Sequence, residues 1–168
     1  MRKINSIFIH HSASNFGNAD LIDKWHKEQG WQGIGYHFVV LNGYPTADNF
    51  KKKELHNDMT GYIQQGRNIK EAGSHVKGHN ASSIGICLIH DTMPYAEKQL
   101  EAYRTLAAGL ALLLNIDPVR IFGHYEFDKG KPLCPGLDMS EERKLIAEQM
   151  LTISPISLDL IKTRFIDN

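Results

Sequence analysis

Apolar residues fall along the chain in two rhythms: short continuous runs, and longer stretches spaced three to four apart. Residues 4–10 hold Ile4, Ile7, Phe8 and Ile9 and predict a strand that runs into His10 and His11. Leu21, Ile22, Trp25 and His26 recur at helical spacing, which predicts a helix over 20–29, capped by Asn18 or Asp20 and closed by Gly30. Residues 35–41 end in the β-prone Val39, Val40 and Leu41, and Asn42-Gly43 signals a turn. A polar stretch follows, with Lys51, Lys52, Lys53, Glu54 and His56, before a strand over 61–67. The run 82–89 is apolar and short enough for a central strand. A long helix is expected over 95–115, where Leu100, Tyr103, Leu106, Ala107, Leu110, Leu113 and Leu114 form one stripe. Residues 118–122 read as a short strand. A last helix runs to about 151, with Ser140 as its cap and Glu141 and Glu142 suited to its positive end. Strands interleaved with helices give an α/β or α+β domain, helices against a central sheet.

Composition narrows the class. A chain of 168 residues, 42% hydrophobic and 23% charged, fits one globular domain. Nineteen Lys+Arg balance nineteen Asp+Glu, so no global field draws the chain to nucleic acid or to an anionic membrane. No run approaches the roughly 20 apolar residues of a membrane helix. The N-terminal apolar stretch is too interrupted for a signal peptide, so the expectation is a protein made in the cytoplasm. Of two cysteines, Cys87 sits in the apolar run SIGICLI and reads as core; Cys134 stands in a polar loop. Two free thiols are expected.

That loop, GHYEFDKGKPLCPG at 123–136, carries the candidate chemistry. His124 and Cys134 offer imidazole and thiolate, the donors zinc prefers. A third ligand from the strand end, His10 or His11, gives three protein ligands and leaves an open position, the catalytic pattern. A fourth protein ligand, from His11 or Asp128, would instead make the site structural. His75, Lys77 and His79 cluster on the glycine-bounded loop 72–80 and suit contacts to a polar ligand. Trp25 and Trp31 read as packing on the sheet.

IFIHHSAS, WHKEQGWQGIGYHFVV, GSHVKGHNASSIGICLI and FGHYEF…KPLCPG occur in that order. Together they resemble the type-2 N-acetylmuramoyl-L-alanine amidases, a family that includes phage lysis amidases and peptidoglycan recognition proteins. The likeness spans residues 3–150. It implies a mixed sheet with a groove at one end, one Zn2+ per chain, and ligands at His10, His124 and Cys134. Tyr36, in GYHF, matches the family's catalytic tyrosine. His37 should face the opposite way along the strand. The family's lysine two residues before the Cys ligand is Pro132 here, so Lys131 is the expected oxyanion-stabilising cation, with Lys129 and Glu126 behind it. His75, Lys77 and His79 are implied to border the groove as substrate-binding residues. The zinc amidase domain would cover 1–151. The segment 44–60 interrupts the family pattern as an insertion, a solvated face or a substrate lid. The tail 152–168 lies beyond the family core and either packs on the body or meets a partner. The implied reaction is hydrolysis of the bond between the muramic acid lactyl group and L-alanine, on intact peptidoglycan or on soluble muropeptides. The implied role is a phage endolysin or a cytoplasmic recycling amidase. A non-catalytic recognition module is the alternative; such relatives characteristically lose the Cys ligand, which is present here. Oligomeric state is left open.

Overall fold

Ser6–His11 form the first strand, β1, and its side chains alternate across the sheet. Ile7 and Ile9 enter one core, while Phe8 and His10 take the opposite face. The computed structural model describes residues 2–167. Its other strands are β2 (Phe38–Asn42), β3 (Thr60–Gln65), β4 (Ser83–Leu88) and β5 (Ile121–Gly123). The order is β3-β2-β4-β1-β5. β1 lies parallel to β4 and β5, β2 parallel to β4, and β3 antiparallel to β2, so the sheet is mixed as expected.

The helices are α1 (Ala19–Glu28), α2 (Ala47–Lys52), α3 (Glu97–Leu114), α4 (Met139–Thr152) and α5 (Pro155–Phe165). One sheet face, with Phe38, Val40, Ile84, Ile86 and Leu88, packs on Tyr103, Leu106 and Leu110 of α3 and Ile146 of α4. The other face carries Val39, Leu41, Cys87 and Ile89 against Ala19 and Ile22 of α1, with Trp25 alongside. Cys87 is therefore core, as its apolar run predicts. Helices α3 and α4 are tied by Glu142, which accepts from the Tyr103 hydroxyl at 2.6 Å and from Arg104 at 2.9 and 2.8 Å. Among the described residues no helix is long and apolar enough to cross a membrane.

Four local readings change. Gly35, Tyr36 and His37 precede β2 rather than forming its start. Segment 44–60 contains α2, whose N-cap Thr46 accepts from the Asn49 amide at 3.2 Å. Asp138, not Ser140, caps α4, because its carboxylate accepts from the Ser140 amide at 2.9 Å. The tail forms α5, with Ser154 as cap, Pro155 in its first turn, and Ile161 and Phe165 buried in the core under α3.

Candidate active site

Register brings the site together. Ile9 pairs with Gly123 and His10 with Cys87, so the parallel strands β1 and β5 deliver His10 and His124 side by side from their carboxyl ends. Open α/β sheets commonly bind ligands at such ends. The loop after β5 then folds back. The Lys131 amide donates to the Asp128 carbonyl at 3.0 Å, the Cys134 amide to the Lys131 carbonyl at 3.1 Å, and the Tyr125 amide to the Cys134 carbonyl at 2.9 Å. These bonds return Cys134 to His124.

Ligand atoms of His10, His124 and Cys134 lie within 4.8 Å of one another. His10 Nδ1 is 3.2 Å from His124 Nδ1 and 4.0 Å from Cys134 Sγ. Ordinary zinc bond lengths at tetrahedral angles require about 3.3 Å between nitrogens and about 3.6 Å between nitrogen and sulfur. The donor set therefore fits zinc in kind, with the two nitrogens at zinc spacing and the sulfur a few tenths of an ångström outside it. His11 is not a member of the cluster; its backbone N–H donates to Cys134 Sγ at 3.4 Å, a bond that favours the thiolate. Asp128 also stands outside, its carboxylate 3.6 Å from His124 Nε2 on the far side of that ring. It is placed to attract the Nε2–H when Nδ1 is engaged.

Burial governs the protonation of these groups. It holds His10 well below the usual imidazole range, helped by His75 and His124, and it lowers His124 as well. Both rings are neutral at pH 7, the form that ligates metal. Burial pushes the Cys134 thiol up to about 11, opposed by the His11 N–H and the Lys131 charge. Coordination must therefore displace a proton from sulfur.

The three ligand-bearing residues border or underlie a groove of about 640 Å³ lined also by Trp31, Tyr36, Lys77, Asp128 and Lys131. The Tyr36 ring stands 5.1 Å from that of His10. Burial raises its phenol well above the usual range, and the nearby Cys87 and Cys134 add to the effect. Lys131 lines the groove together with His11, His124 and Cys134, and its positive charge lowers the pKa of all three.

The loop 72–80 divides its three polar residues. Lys77 is exposed at the groove. His75 is largely buried at the floor of the same groove, with His10 Nε2 3.1 Å from its Nδ1. His79 turns away to Phe8 and Phe127, at ring distances of 5.6 and 4.7 Å. Glu126 also faces away: it accepts from the Gly123 amide at 2.8 Å and pairs with Arg143 at 3.1 Å. His37, expected to face away from Tyr36, instead lies on the same side of the sheet: its ring accepts from the Gly85 amide at 3.0 Å and stands 5.6 Å from the His75 ring, because residues 35–37 precede β2 and do not alternate as a strand. Trp31 is the residue the sequence does not reveal. Expected to pack on the sheet, it is 44% exposed at the groove with its ring 4.5 Å from His26. No local signal separates it from Trp25, which does pack inside.

Known proteins share the sequence profile and the fold of this chain. The profile of the N-acetylmuramoyl-L-alanine amidase family, Amidase_2, matches residues 1–137. The chain is 30% identical over 146 residues to the endolysin of Escherichia phage T7, covering 80% of this chain and 82% of that one. The N-acetylmuramoyl-L-alanine amidase LysC from Clostridium intestinale superposes with a TM-score of 0.67 at 26% identity, covering 91% and 88%. A variant of Drosophila PGRP-LB in complex with tracheal cytotoxin superposes with a TM-score of 0.59 at 25% identity, covering 84% and 80%. The chain belongs to the N-acetylmuramoyl-L-alanine amidase family.

Proposed function

We propose that this chain is a zinc-dependent hydrolase that cuts the amide between the muramic acid lactyl group and L-alanine of peptidoglycan, in the role of a phage or prophage endolysin. The observation that carries the reading is the convergence of His10 Nδ1, His124 Nδ1 and Cys134 Sγ beside an open groove. Resemblance to a phage endolysin supports the role, and the tracheal cytotoxin complex of a structural relative supports a glycan-peptide ligand. In that role the protein is made in the cytoplasm and meets the wall once the membrane is breached.

His10, His124 and Cys134 would hold the ion. A bound zinc supplies Lewis acidity, activating water near neutral pH and polarising a carbonyl. The remaining work falls to the chain. Tyr36 keeps its proton at any physiological pH, so it serves as a hydrogen-bond donor to the developing oxyanion and not as a base. Lys131 adds positive charge on the same side, and Lys77 and Trp31 offer a cation and a flat apolar surface to the sugar-peptide chain.

The test is removal and return of the metal. Protein stripped with a chelator and dialysed should no longer clear a suspension of purified peptidoglycan, and stoichiometric zinc should restore clearing. Undiminished clearing by protein verified to be metal-free would contradict the reading.

A further inference from the structure

We infer that His75 is a positioning residue that fixes the tautomer and ring angle of His10, holding the His10 Nδ1 lone pair toward His124 and Cys134. This rests on the metal-site reading above. It also gives His75 a different task from contacting substrate.

The polar contacts behind His10 admit one consistent placement of protons. Ser83 Oγ lies 2.8 Å from the His79 carbonyl, which can only accept, so the hydroxyl donates there. A lone pair of that hydroxyl remains for His75 Nε2, 3.4 Å away, which must then carry the His75 proton. Neutral imidazole has a single N–H, so His75 Nδ1 accepts. The atom facing it, at 3.1 Å, is His10 Nε2, which therefore donates. His10 is left with its lone pair on Nδ1, the atom in the ligand cluster. The run His10–His75–Ser83–carbonyl 79 thus reads outward from the metal side and ends on backbone. Metal-bound histidines characteristically have such a partner for the other ring nitrogen.

The surroundings lock the His75 ring in this task. A Cβ added at Gly73 or at Gly85 would come within 2.4 or 2.7 Å of its Cδ2, so both glycines are required for close approach. The Asn80 carboxamide accepts the backbone N–H groups of His75 and Val76 at 2.8 and 2.9 Å. Arg2 then donates to the carbonyls of Ala81 and Ser83 at 3.0 and 2.7 Å, tying the end of this loop to the chain's start. His75 has both ring nitrogens engaged and little exposed surface, which leaves it no polar atom for a ligand in the groove.

Two readouts on the whole chain test the inference. The first is the zinc dissociation constant, measured by competition with a chromogenic chelator. The second is the tautomer of His10 in metal-free protein, read from long-range proton–nitrogen NMR spectra. Wild type should show the proton of His10 on Nε2. His75→Leu should weaken zinc binding by roughly 10- to 100-fold and give a mixed His10 tautomer. His75→Asn, which returns an acceptor oxygen near the place of Nδ1, should recover most of the affinity. Ser83→Ala, a smaller change that removes the end of the relay, should weaken zinc binding several-fold, and it decides the matter if the leucine variant does not fold. A proton on Nδ1 of wild-type His10, or equal zinc affinity in wild type, His75→Leu and Ser83→Ala, would overturn the inference. A wild-type chain that binds no zinc would overturn the metal-site reading instead, and the NMR tautomer would still report on the relay.

Discussion

The same strands build two unlike faces of the sheet. On one, Ile7, Ile9, Ile84, Ile86 and Leu88 meet α3, α4 and α5 in an almost wholly apolar core. On the other, the alternate residues Phe8, His10, Gly85 and Cys87 lie against His37, His75, Tyr36 and the groove. A period of two lets one strand serve stability on one side and chemistry on the other. The apolar face stabilises the fold chiefly by burial, with Glu142 tying Tyr103 and Arg104 of α3 to α4. The groove face holds His10, His37 and His75 out of water as neutral rings, which disfavours their charged forms and weakens the fold in acid.

Substitution on the apolar face should strike stability and leave chemistry alone. Leu106→Ala, at a fully buried position of α3, should cost about 2–5 kcal/mol in chemical denaturation. Zinc affinity and turnover at 25 °C should stay at wild-type values; a parallel loss of either would show that the two faces are not separable.

On the groove face the order reverses. Tyr36→Phe removes one hydroxyl from a position that lines the groove, and turnover on purified peptidoglycan should fall by roughly a hundredfold with zinc retained. A variant of normal rate would take Tyr36 out of the reaction.

The cost of buried imidazoles should appear as acid sensitivity. Burial depresses His37 from 6.5 to about 4, so between those values the unfolded chain binds the proton and the folded chain does not. Stability from this group is full above pH 6.5 and is lost as pH falls toward 4, about 2 kcal/mol of it between pH 7 and 5. His37→Asn, which keeps an acceptor for the Gly85 amide, should flatten the pH dependence of the unfolding free energy over that interval. An unaltered slope would assign the acid sensitivity to other groups.

The smallest of these effects belongs to the most exposed group. Lys131→Ala should lower turnover by about tenfold, because a solvated cation at the rim contributes less than a donor aimed into the site. Unchanged turnover with zinc bound would remove Lys131 from the mechanism.

Much of this was legible beforehand. The strand rhythm of Ile7, Phe8 and Ile9, the helical stripe from Leu100 to Leu114 and the loop holding His124 and Cys134 all announce themselves in local pattern. What escaped depended on contacts distant in sequence. Thr46 and the pair Ser154-Pro155 are ordinary helix-start signals for α2 and α5. Yet α2 buries no residue, and only the pocket under α3 shows why Ile161 and Phe165 belong to the core. His75 and His79 are four residues apart on one polar loop, and nothing local says that one turns inward to His10 and the other toward Phe127. Their separation depends on the space left by Gly73 and Gly85, a tertiary fact.

The most direct test of the account is mass spectrometry of the soluble products after zinc-loaded protein has acted on purified peptidoglycan, beside a Cys134→Ser control. Free stem peptides with an L-alanine amino terminus, absent from the control, are the predicted result. Wall left uncut by zinc-loaded wild type, or the same peptides released equally by Cys134→Ser, would contradict it.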